Sequence, residues 1–128
     1  MRSETFTVDT RGRGTVDLTE RARVFALDVG GDGLVHVFAP HATAGVAIIE
    51  VGAGSEQDLE ELLERTFPRD DRYAHRHGSV GHGGDHVLPA FVSPSLTVPV
   101  IDGAVLLGTW QSIVLVTPTG RTTSGPCG

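Results

Sequence analysis

The chain has 128 residues, 39% of them hydrophobic and 20% charged, a balance that suits one compact domain and leaves no room for two. Seventeen glycines weigh against a helical bundle, since each costs a helix interior about 1 kcal/mol. Sixteen acidic residues against ten arginines and no lysine give a net charge of −6, which argues against non-specific binding to nucleic acid or an anionic membrane surface.

Met1-Arg2-Ser3-Glu4 opens no apolar core of signal-peptide length, and no apolar run approaches the ~20 residues of a membrane span, so a soluble cytoplasmic protein is expected. The single cysteine, Cys127, cannot build a disulfide framework and is expected to be inert. Thr5 to Thr10 alternates in β-prone residues and Gly14 to Leu18 repeats the pattern, which predicts two short strands. From Thr19, an expected N-cap, Ala22, Phe25, Ala26 and Val29 stand at helical spacing until Gly30-Gly31 ends the run. Gly33 to Phe38 and Gly45 to Val51 read as buried strands joined by the polar junction 39–44.

Ser55 to Asp58 has the form of a capping box, and Leu59, Leu62, Leu63 and Phe67 continue one helical face until Pro68. Arg69 to Gly84 is a glycine- and histidine-rich stretch without a period. Val87 to Val92, Leu96 to Ile101, Ala104 to Leu107 and Gln111 to Thr117 then read as strands, with Asp102-Gly103 as a hairpin turn. The order ββα-ββ-α-loop-ββββ predicts an α+β domain, two helices against a mainly antiparallel sheet or sandwich. Residues 1–117 form the domain and 118–128 a poorly ordered tail on this reading.

His41, His75, His77, His82 and His86 all fall in or beside expected loops, and imidazoles gathered in this way can supply a three-ligand metal site with one position open. His82 and His86 are four apart, yet Gly81, Gly83 and Gly84 speak against a helix that would put them on one face. His36, on an apolar strand, is expected in the core or an interface. Glu50 closes the fourth predicted strand and can serve as a general base or a ligand. No GxSxG, P-loop or cysteine pair is present, which removes nucleophilic hydrolases, nucleotide hydrolases and zinc fingers.

Pro40-His41-Ala42-Thr43-Ala44 through Glu50, Tyr73-Ala74-His75, His86, and Ser95 to Val100 running into Leu107-Gly108-Thr109-Trp110-Gln111-Ser112-Ile113 resemble the YjbQ-like family, also called UPF0047 or secondary thiamine-phosphate synthase family. The resemblance implies a homotrimeric α+β fold acting on a small molecule that can be phosphorylated. It implies catalytic roles for Glu50, His41 and His86, and a metal, zinc first, on His41, His75 and His86. Thr43, Ser95, Thr109 and Gln111 are its expected ligand-binding residues, and thiamine-phosphate synthesis an expected side activity. The alternative is a non-catalytic trimer that binds a metal or small ligand. Alternation puts Thr109 and Gln111 on one face of a strand and turns Trp110 into packing. Three positions depart from the family pattern: Ala42 for threonine, Ile49 for asparagine and Leu88 for lysine. His77 and His82 are additional, and the expected closing strand is missing from 118–128.

Overall fold

The computed structural model describes residues 1–75 and 82–118, so His77, Cys127 and all of the tail but Pro118 lie outside the described residues. In chain order the elements are β1 (Thr15–Asp17), α1 (Thr19–Val29), β2 (Gly33–Phe38), β3 (Gly45–Ile49), α2 (Ser55–Thr66) and α3 (Gly83–Val87). A 3-10 turn at Leu88–Ala90, β4 (Ser95–Ile101), β5 (Ala104–Val105) and β6 (Ser112–Val116) complete them. The fold is α+β, as expected. Its strands form two antiparallel three-stranded sheets, ordered β1-β6-β3 and β2-β4-β5.

The core lies where α1 meets the inner faces of the sheets. Ala22 and Ala26 of α1, Val35 of β2, Val46 of β3, Val98 and Val100 of β4 and Ile113 of β6 form one buried cluster. Successive strand residues point to opposite faces, so the complete burial of both Ile113 and Val114 means that β6 is covered on both sides. Thr19 joins helix to sheet: its buried hydroxyl accepts the Ile113 N–H at 2.9 Å. Thr19 is therefore the first helical residue and not the expected N-cap, and the Asp17 carboxylate accepts its N–H at 2.9 Å. Gly30 ends α1 with φ 75°, as the sequence indicates.

Asp102 and Gly103 make the β4–β5 turn with φ of 52° and 75°, the left-handed pair that a two-residue hairpin requires. Several expectations are corrected. Among the described residues Thr5 to Thr10 joins no ladder; Phe6 and Val8 instead pack against the core, with the Arg21 guanidinium 4.3 Å from the Phe6 ring centre. Gly54, not Ser55, caps α2, and the Glu56 carboxylate accepts the Gly52 N–H at 3.0 Å. Along α2, Leu59 and Leu63 are half-buried while Leu62 is exposed. Val87 to Val92 is not a strand. Pro89, with its fixed φ and no N–H, suits the first turn of a helix, and the Phe91 and Val92 N–H groups both donate to the Leu88 carbonyl.

Candidate functional site

Two glycines shape the site. A Cβ on Gly83 would stand 2.5 Å from the Tyr73 Cβ, and one on Gly84 2.7 Å from the Tyr73 hydroxyl oxygen. Their bare backbone lets the Tyr73 ring lie directly on the start of α3, where its hydroxyl donates to the Pro68 carbonyl at 2.7 Å. This packing outweighs the poor helix propensity of glycine. The helix that the sequence speaks against therefore forms, and His82 and His86 share one of its faces. A second tie, from Arg69 Nη2 to Asp85 Oδ2 at 2.7 Å, holds segment 69–75 to the same helix.

His75 is carried onto α3 by these two contacts. Its ring stacks on that of His86 with centres 4.1 Å apart and planes at 23°, and lies 5.7 Å from that of His82. The His82 and His86 rings stand nearly perpendicular, at 81° with centres 4.4 Å apart. Their Nε2 atoms are 2.6 Å from each other. Two nitrogen lone pairs repel at that distance, so one Nε2 carries a hydrogen and donates it to the other. On its other side, His82 Nδ1 lies 3.3 Å from Asp85 Oδ2.

His82 is 2% and Asp85 4% exposed. Burial pushes the Asp85 carboxyl above the usual range, against the pull of the Arg69 guanidinium and, more weakly, of His82. Burial likewise raises the Tyr73 phenol. Among the described residues no three His, Cys, Asp or Glu side chains are spaced to hold a metal ion as they stand. The closed His82–His86 pair illustrates why: two imidazoles on one tetrahedral zinc, with bonds of about 2.05 Å, have nitrogens about 3.3 Å apart.

The other candidate residues occupy two ends of the β3–β6 ladder. Its register runs from Gly45 opposite Val116 to Ile49 opposite Ser112. Thr117, just past Val116, lines a crevice with Gly84, Asp85 and Leu88, so the histidine cluster lies toward that end. Half-buried Thr43 precedes β3 at this same end, and exposed His41 precedes it in turn, outside the ring contacts of the cluster. Ser95, half-buried, begins β4 opposite Phe38. Glu50 and Gln111 follow the ladder out at the far end, beyond Ile49 and Ser112, roughly 20 Å from Ala44 at the strand rise of about 3.4 Å per residue. One copy of the chain thus gathers His75, His82 and His86 and leaves Glu50, Thr109 and Gln111 elsewhere.

Thr109 and Trp110 lie in a turn, which corrects the strand reading of this segment. Gln111 folds back so that its Oε1 accepts the Gly108 N–H at 2.8 Å, and Trp110 stands 73% exposed instead of packed. His36 is also exposed, hydrogen-bonded through Nδ1 to Thr97 Oγ1 at 2.8 Å. Sequence reasoning gave no role to Arg69, Tyr73 or Asp85 and treated His82 as an extra. The signal available was the four-residue spacing of His82 and His86.

The fold and the cluster together define a small α+β domain with a histidine-lined site at one end of its first sheet. The chain belongs to the YjbQ-like family: a family model described as UPF0047 protein YjbQ-like matches residues 4–123. It is 63% identical over 116 residues to the UPF0047 protein Rv2556c of Mycobacterium tuberculosis, covering 91% of this chain and 86% of that one. Among solved structures, a hypothetical protein from Aeropyrum pernix K1 superposes with a TM-score of 0.75 at 30% identity, covering 84% of this chain and 80% of that one. A YjbQ/UPF0047 protein from Clostridium acetobutylicum does so with a TM-score of 0.74 at 26% identity, covering 84% and 83%. Among the described residues no helix is long and apolar enough to cross a membrane.

Proposed function

We propose that the chain is a small-molecule enzyme of YjbQ type that works as a homotrimer and holds a divalent cation, zinc first, on His75, His82 and His86. The observation that carries this reading is the meeting of three imidazoles at one point, with the Nε2 atoms of His82 and His86 facing each other at 2.6 Å. The donor set suits zinc, because neutral imidazole is its common nitrogen ligand and a carboxylate behind a ligating histidine is its usual support. A cation held by both Nε2 atoms would require the hydrogen they share to move to Nδ1 of the same ring or to water, and would need the two nitrogens about 0.7 Å farther apart than the pair stands.

A cation held there supplies a Lewis acid for an oxygen of the substrate. The chain's own groups do the rest. Glu50 acts as base from the far end of the ladder. That end lies away from the cluster of its own chain, so this role for Glu50 requires the cluster of another copy, which favours the trimer. So does the outer face of the second sheet, where Leu34 is 74% and Phe38 60% exposed around the His36–Thr97 pair. The synthase activity implied by the family resemblance is a side activity on this reading, since the apolar, buried Leu88 replaces a lysine that would contact phosphate.

Elemental analysis of the purified protein, paired with turnover of a panel of phosphorylated metabolites, tests the proposal. The expected result is one divalent metal per chain and a turnover that is lost in His86→Ala. Protein that neither carries nor takes up a metal overturns the cation site. Bound metal with no turnover on the panel favours the non-catalytic binding protein.

A further inference from the structure

The cluster rests on a buried carboxylate. Asp85 sits in the first turn of α3, almost wholly buried, with one carboxylate oxygen shared between the Arg69 guanidinium at 2.7 Å and His82 Nδ1 at 3.3 Å. The Arg69 guanidinium at 2.7 Å favours the ionised form of Asp85, and an ionised carboxylate attracts a hydrogen and repels a lone pair, so the ring hydrogen of His82 belongs on Nδ1. A neutral imidazole that is protonated on Nδ1 keeps its lone pair on Nε2, the atom that faces His86.

From this geometry we infer that Asp85, anchored by Arg69, is a positioning residue that locks His82 in the Nδ1–H tautomer and so presents its Nε2 lone pair to the His86 side of the cluster. The direction of the shared hydrogen follows: His86 Nε2 donates and His82 Nε2 accepts. Without Asp85 the buried His82 loses the carboxylate at its Nδ1, and Nε2–H, the form that cannot ligate through Nε2, becomes more populated. Arg69 acts at one remove. Its guanidinium offsets the cost of a buried carboxylate and fixes the oxygen that meets His82. The inference deepens the proposed cation site, since a lone pair held toward the cluster matters most to a ligand arriving there. As a statement about the metal-free protein it stands or falls separately.

The experiment is two-bond 1H–15N correlation spectroscopy of the metal-free full chain, labelled with 15N-histidine, near pH 7.5. It is followed by titration of zinc chloride into wild type, Asp85→Asn and Asp85→Ala. Wild-type His82 is expected to show a protonated Nδ1 and a bare, hydrogen-bonded Nε2. Asparagine can still accept from Nδ1 through its Oδ1, so Asp85→Asn keeps the tautomer, whereas Asp85→Ala mixes the two forms. Zinc affinity is expected to fall about 10–100-fold in Asp85→Ala and less in Asp85→Asn. A wild-type His82 protonated on Nε2 overturns the inference even if zinc binds. So does a folded Asp85→Ala chain with the wild-type tautomer and affinity. Should Asp85→Ala fail to fold, the wild-type tautomer and the Asp85→Asn comparison decide. Absence of zinc binding in wild type removes the cation site and leaves the tautomer result to judge Asp85 alone.

Discussion

Tyr73 lies against Gly84 so closely that a Cβ added to the glycine would stand 2.7 Å from the phenol oxygen and 3.2 Å from the Phe67 carbonyl. The ring of Tyr73 brings His75 to the cluster, so this single missing side chain links backbone composition to site geometry. Gly84→Ala should cost about 1–3 kcal/mol through overpacking. It should also weaken zinc uptake, because Tyr73 must move and His75 moves with it. Gly33→Ala is the control: nothing lies within 4 Å of a Cβ there, and its stability should stay within about 0.5 kcal/mol of wild type. Denaturant melts of the two variants check both expectations.

The same contact shows where sequence reasoning reaches and where it stops. Ala22, Ala26 and Gly30 give away α1, and Asp102-Gly103 gives away its hairpin, because both signals are local. α3 is hidden, since glycine propensity argues against it and the ring that overrides propensity comes from ten residues upstream. With α3 hidden, His82 and His86 do not register as neighbours on a face. The alternation of Thr5 to Thr10 is real but finds no strand to pair with among the described residues, and Phe6 and Val8 pack against the core instead. Thr109 to Gln111 lies in a turn closed by the Gln111 side chain, a contact that period-two reasoning does not contain.

Core substitutions should separate stability from the site. Ile113 is fully buried in the central strand β6, so Ile113→Ala is expected to cost about 2–5 kcal/mol. Leu62→Ala, on the exposed side of α2, should change stability by less than about 0.5 kcal/mol. Urea unfolding of both variants measures the contrast.

Glu60 sets a pH dependence whose sign is fixed. Burial raises its pKa in the folded chain above the ordinary glutamate value, with Glu64 and Glu56 adding to the rise. The folded state therefore holds the proton more tightly than the unfolded state, and this residue's contribution to stability is lost as pH climbs from the unfolded value through the folded one. Glu60→Gln removes the titration. Wild type should melt at a lower temperature than Glu60→Gln at pH 7, and the gap should close at pH 4. A gap that widens toward pH 4 contradicts the shift.

Self-association should depend on the outer face of the second sheet. Light scattering at micromolar concentration is expected to give the mass of three chains for wild type and a smaller mass for Phe38→Glu, which places a charge in the exposed apolar surface. A monomeric wild type rules out the trimer.

The most direct test of the histidine cluster as a cation site is titration of zinc chloride into stripped protein at pH 7.5 and pH 5.5, on either side of the ~6.5 reference pKa of histidine. Imidazoles must be neutral to ligate, so the account predicts one zinc per chain, bound markedly more weakly at pH 5.5, with protons released on binding and with uptake abolished in His82→Ala and His86→Ala. Absence of binding at pH 7.5, or an affinity that does not change between the two pH values, contradicts it.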